Sequence, residues 1–154
     1  MTVIQIDEPA LADRSDASLA LERFARETLG CQCLPEVFQR VAEDLIHLPG
    51  VTSPVRRFFI GGRLLIHLVP LADPTAALDR IGDWIATGLA ERDRRGMNRV
   101  RLVLGYEVMS PAETDAIESS FARLAGRDKR VHLHLIPAAS LAEALEPPHS
   151  GSSG

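Results

Sequence analysis

Two cysteines in 154 residues are too few for the disulfide lattice of a small secreted scaffold, so thiols here stay free unless they ligate metal or cycle redox states. Long apolar runs are missing as well. No stretch approaches the ~20 residues that cross a bilayer, and the start, MTVIQIDEPALADRSD, has no basic region followed by an apolar core. These features predict a cytoplasmic chain with no membrane partner. Charge of one sign is also scarce. Seventeen Lys and Arg against 21 Asp and Glu leave a formal net charge of −4, too mild to make nucleic acid the main partner. No glycine-rich phosphate loop precedes a helix, no Ser–His–Asp arrangement follows from spacing, and there is no internal repeat. Nothing names a substrate, so no catalytic residue is assigned and the balance leans away from an enzyme.

What is there suits one soluble domain: 45% of residues are hydrophobic and 25% charged. Residues 1–14 are weakly patterned, with Val3, Ile4 and Ile6 suggesting a short edge strand. The tail over 147–154 has a flexible composition, leaving 15–146 as a single α/β domain. From Ser15 the period is helical through Leu21, Phe24, Ala25, Thr28 and Leu29, and Gly30 offers a left-handed stop. Pro35 suits the first position of a second helix that would bury Val37, Phe38, Val41, Leu45 and Leu48.

VRRFFI, GG and RLLIHLV over 55–69 read as a hairpin whose glycines supply positive φ. Asp73 and Pro74 open a helix through Leu78, Ile81, Trp84, Ile85 and Leu89, and a strand follows at 100–106. Ser110, Pro111 and Glu113 form a capping box for a helix through Leu124, the last strand is 131–137, and Ser140 with Glu143 suggests a second box for a short final helix. The order is an N-terminal helix pair followed by ββαβαβα, which predicts a four-stranded mixed sheet with parallel pairing through right-handed crossovers and helices packed on it.

The stretch LGCQCLPEVF, 29–38, carries the chemistry. Cys31 and Cys33 fall in the tight connection between the two expected helices. A thiol is a nucleophile or ligand only as thiolate, from a reference pKa of about 8.5. The amides opening the second helix would favour that charge by roughly 0.3 to 1 kcal/mol, and Arg26 one turn earlier would add to it. A second thiolate repels the first, so a reactive pair needs a bound metal or a disulfide. Residues i and i+2 in an extended chain lie ~6.6 Å apart, near the limit of about 6.8 Å for bridged α-carbons, so a bridge needs a bend, which Gly30 permits, and would be easily reduced.

Two sulfurs half-fill a tetrahedral metal site. His132 and His134 alternate on the last strand and can converge on one ion. His47, fourteen residues after Cys33 on the expected second helix, would lie about 20 Å away. A homodimer could instead gather four sulfurs around one zinc or a small iron–sulfur cluster. Against these stands the plain alternative that the cysteines pack as small apolar residues and the histidines form the wet side of a strand.

ERDRRGMNRVR, 91–101, gathers Arg92, Arg94, Arg95, Arg99 and Arg101. It reads either as an anion-binding patch, with Arg92, Arg95, Arg99 and Arg101 as its candidates, or as arginines complementing a helix C-terminus. Loops at the carboxyl ends of the strands offer Asp73, Tyr106, Glu107, Ser110 and Ser140, three of which already have capping roles.

ETLGCQCLPEVFQRV resembles the L-G-C-x-C-P-E-x-V-F signature of a group of small prokaryotic proteins that carries no assigned activity. Leu34 stands where the group usually has proline, with Pro35 one position later. The resemblance implies that Cys31 and Cys33 are a feature of that group. Three readings follow: a C-x-C domain for metal or thiol redox chemistry, a non-catalytic module that recognises a protein partner through its N-terminal helices or a sheet edge, and a small-anion binder.

Overall fold

A computed structural model describes residues 16–32 and 35–145. The suggested edge strand at Val3, Ile4 and Ile6, the tail over 147–154 and Cys33 lie outside the described residues. Helix α1, Asp16–Arg23, runs into a π-helical turn, Phe24–Thr28, and a short 3-10 turn spans Pro35–Gln39. Then come strands β1, Val41–Ile46, β2, Val55–Ile60, and β3, Leu64–Leu71, helix α2, Pro74–Arg94, and strand β4, Arg99–Tyr106. Helix α3, Pro111–Ala125, strand β5, Val131–Pro137, and helix α4, Ala138–Leu145, complete the chain.

The architecture is α/β on a mixed sheet, and the sheet has five strands in the order β1-β2-β3-β4-β5 rather than four. The fifth comes from the segment expected to be the second helix. Val41, Leu45 and Leu48 mimic a helical period, but helical structure ends at Gln39 and Val41–Ile46 pairs antiparallel with β2. Charge complementarity across the ladder accompanies the pairing. Glu43 takes a hydrogen bond from Arg56 at 2.7 Å, and Asp44 takes a forked pair from Arg57, so two adjacent carboxylates meet two adjacent guanidiniums across the ladder. Leu45 is left 61% exposed on this edge strand. His47 therefore follows a strand, and its expected placement about 20 Å along a second helix does not hold.

The β2–β3 turn is also longer than expected. Ile60 pairs with Leu64, so Gly61, Gly62 and Arg63 all lie in the turn. Gly61 has φ +60°, and a β-carbon there would come within 2.6 Å of Val37, because the 3-10 turn sits directly on the hairpin. The crossover helices begin as the sequence indicates. Asp73 accepts the Thr75 amide hydrogen, and Ser110 with Glu113 closes a reciprocal capping box. Helix α4 starts at Ala138, directly after β5, so Ser140 lies within the helix and does not cap it.

Strands β3, β4 and β5 are parallel, and both crossovers lead the same way across the sheet, so α2 and α3 share one face. Their core includes Ile81, Trp84, Leu102, Leu104 and Ile117. On the other face the N-terminal segment and α4 bury Leu21, Phe24, Phe38, Leu141 and Leu145 against Phe58, Ile66 and Val103. Fully burying side chains of this size contributes about 1.5 to 3 kcal/mol each. No described helix is long and apolar enough to cross a membrane.

Candidate functional site

Alternation along β4 decides which face each residue serves. Val100, Leu102 and Leu104 point toward α2 and α3, which turns Arg99, Arg101 and Val103 toward the N-terminal segment. Arg101 is buried and Arg99 half-buried on this face, so both lie between the sheet and what covers it. What covers it is the Cys31 turn.

That turn is built from local hydrogen bonds. The π-helical turn closes with the Leu29 amide donating to the Phe24 carbonyl, Gly30 reverses the chain at φ +76°, and the Cys31 amide donates to Ala25 at 2.8 Å. The Arg101 guanidinium then donates to the Leu29 carbonyl at 2.8 Å, tying the turn to β4. Cys31 is 7% exposed, packs within the apolar cluster of that face and is disulfide-bonded, in a chain whose other cysteine is Cys33. It also lines a cleft of about 290 Å³ with Val37, Arg63, Asn98, Arg99 and Arg101.

The cleft is strongly basic. Among the described residues no carboxylate pairs with Arg63, Arg99 or Arg101. Arg101 is 8% exposed, and its Nε is buried without a hydrogen-bond partner. Burial and the neighbouring Arg99 charge both lower its pKa. An unpaired cation held out of water is costly, and an anion beside it relieves the cost.

His132 and His134 do lie on the face that meets the Cys31 turn. Each has its Nε2 within hydrogen-bond reach of an arginine, His132 with Arg99 at 3.1 Å and His134 with Arg101 at 3.0 Å. Arginine only donates, so both Nε2 atoms accept, which assigns the ring protons to Nδ1. Burial, reinforced by the arginine charges, lowers the pKa of His132 and takes that of His134 down to about 4. Both are therefore neutral at pH 7, and the lone pairs a metal would need are occupied. Among the described residues no three His, Cys, Asp or Glu side chains converge on a metal position.

The arginine run divides in two. Arg99 and Arg101 reach the cleft, whereas Arg92 and Arg95 serve the opposite face. Arg92 forks onto Asp128 with two bonds of 2.9 Å, and Arg95 binds Glu91 at 2.7 Å while lying over the Phe59 ring. Arg26, expected to assist the thiols, pairs with Glu22 and stacks on Phe38. The five-residue 3-10 turn replaces the expected helix dipole, so positive potential at the turn comes from β4 and from Arg63 of the hairpin. Sequence reasoning passed over Arg63 altogether. Its only signal was a position directly after two turn glycines.

The Arg92 fork gives a pH prediction. Hydrogen bonds from Arg92 hold the Asp128 pKa down at about 2, below the ~3.9 of an unfolded aspartate. Its contribution is therefore complete above about pH 4 and lost as pH falls through about 2. Asp128→Asn should be less stable than the parent at pH 7, and the difference should shrink between pH 4 and 2 when unfolding by urea is followed at each pH.

Known proteins add no assignment. No family model, curated protein or solved structure matches the chain.

Proposed function

We propose that the Cys31 turn is the seat of reversible thiol/disulfide chemistry, with Cys31 and Cys33 as the redox pair. The observation that carries this reading is the disulfide-bonded Cys31 at the wall of a cleft whose three arginines have no carboxylate partner among the described residues. Reduction replaces a neutral bridge with thiolate, and guanidinium charge nearby favours the thiolate form. Metal ligation is the weaker branch, because the Nε2 atoms of His132 and His134 already accept from Arg99 and Arg101.

One observation favours a second reading. Cys31 packs among Leu21, Phe24 and Phe38, as a merely structural cysteine would, and β1 offers an exposed edge on which a protein partner could pair. Mild dithiothreitol treatment of the native protein, followed by iodoacetamide and mass spectrometry, separates the two. The redox reading expects two adducts in folded protein and a bridge that reforms with oxidised dithiothreitol. Alkylation confined to denaturing conditions would instead favour packed cysteines. Zinc or iron present in stoichiometric amount after anaerobic purification would revive the metal branch.

A further inference from the structure

From the three arginines and the volume of the cleft we infer that it selects a small thiol carrying a second anionic group, a carboxylate or sulfonate, as the reductant of the Cys31 disulfide. The inference rests on the redox reading above and extends it to a substrate class.

Charge counting supplies the first step. An attacking thiolate brings one negative charge, whereas Arg63, Arg99 and Arg101 bring three positive charges with no carboxylate among the described residues to offset them. A second anionic group on the same molecule offsets a further charge. The second step is the burial of the Arg101 charge. Arg101 is more than nine-tenths buried and lines the cleft, so water solvates its charge poorly. Planar guanidinium donors match the oxygens of carboxylate and sulfonate, and the Asn98 amide on the same wall can add a hydrogen bond. Size is the third step. A cleft of about 290 Å³ is at the lower end of ligand pockets, which suits a molecule of few heavy atoms.

The chemistry balances as two exchanges. The small thiolate attacks Cys31 Sγ, forming a mixed disulfide and expelling the partner cysteine as thiolate. A second thiolate attacks the sulfur of the bound small molecule, releasing the small-molecule disulfide and leaving Cys31 as thiolate. Two small thiols are oxidised, the protein bridge is reduced by two electrons, and the protons released by the small thiols pass to solvent or to the protein thiolates.

A charge series tests this on the full oxidised chain. Its members are 2-mercaptoethanesulfonate, 2-mercaptoethanol and cysteamine, which share a two-carbon frame and differ in the sign of the distal group. Reduction rates are compared at equal thiolate concentration. The sulfonate should react at least tenfold faster than the alcohol, with saturation, the amine should be slowest, and ethanesulfonate, which has no thiol, should inhibit competitively. In Arg63→Ala, an exposed turn position, and in Arg63→Ala with Arg99→Ala, the sulfonate-to-alcohol ratio should fall stepwise to below threefold. Equal rates across the wild-type series, or a fastest amine, would overturn the substrate class while leaving the redox reading intact. Failure of all three thiols and of dithiothreitol to reduce native protein would overturn both.

Discussion

Glu91→Gln is expected to destabilise the protein by about 3 to 5 kcal/mol, the range for removing one member of a buried ion pair and leaving the other without its charge. The Glu91 carboxylate is 5% exposed and takes bonds of 2.7 Å from Arg57 to each oxygen, 2.7 Å from Arg95 and 3.1 Å from Arg94. Burial alone would raise its pKa, but the Arg95 and Arg57 hydrogen bonds outweigh this and the net shift is downward. Glutamine keeps the shape, turns an amide N–H₂ toward guanidinium and leaves Arg57 with Asp44 as its one carboxylate partner among the described residues. For a domain of this size, the midpoint of thermal unfolding should drop by about 6 to 20 °C. Pairing Glu91→Leu with Arg57→Met should recover much of the loss, since an apolar pair leaves no stranded charge. A change below about 1 kcal/mol in Glu91→Gln would show that the cluster is well solvated.

Arg101→Met is expected to do the reverse, sparing the fold and damaging the site. The substitution forfeits hydrogen bonds to Leu29 and His134 but also removes a desolvated cation that has no carboxylate partner among the described residues, so stability should move by no more than about 1 kcal/mol. A full charge within about 12 Å at an effective dielectric near 20 contributes more than about 1 kcal/mol to a neighbouring thiolate. Alkylation of reduced Cys31 by iodoacetamide at pH 7 should therefore slow by about tenfold in the variant. In the same variant His134 should titrate above its present value of about 4, because one of the charges opposing its protonation is gone. The shift will be partial, since burial, the larger cause, remains. An unchanged alkylation rate would mean that Arg101 acts only as a structural strut.

Much of the fold was legible because local chemistry and periodicity agree. Asp73–Pro74 and Ser110–Pro111 with Glu113 mark the starts of α2 and α3 unambiguously, and Trp84 reads as core and is core, its Nε1 hydrogen taken by Pro49. β1 was misread because Val41, Leu45 and Leu48 fit a helical face. Its contacts are with β2, the Glu43–Arg56 and Asp44–Arg57 bonds among them, and these join positions thirteen residues apart. The site divides in the same way. Cys31 announces itself by spacing, but its cationic neighbours arrive from β4, with Arg101 bonded to a carbonyl 72 positions earlier. A signal was available in RVRLVLGY, where two arginines alternate with apolar residues on a strand destined for the middle of a sheet. Glu91 gave none, since ERDRR reads as a solvated helix end.

The proposed chemistry needs a bridge at Cys31 that native protein can open and close. Its reduction potential, measured by equilibrating folded protein in graded dithiothreitol redox buffers at pH 7 and counting free thiols, addresses this directly. A reversible two-electron transition is expected at a potential above about −300 mV, the upper bound typical of structural disulfides, with a lower potential in Arg101→Met. A bridge that stays closed until the chain unfolds, or a potential that ignores Arg101, would contradict the proposed chemistry.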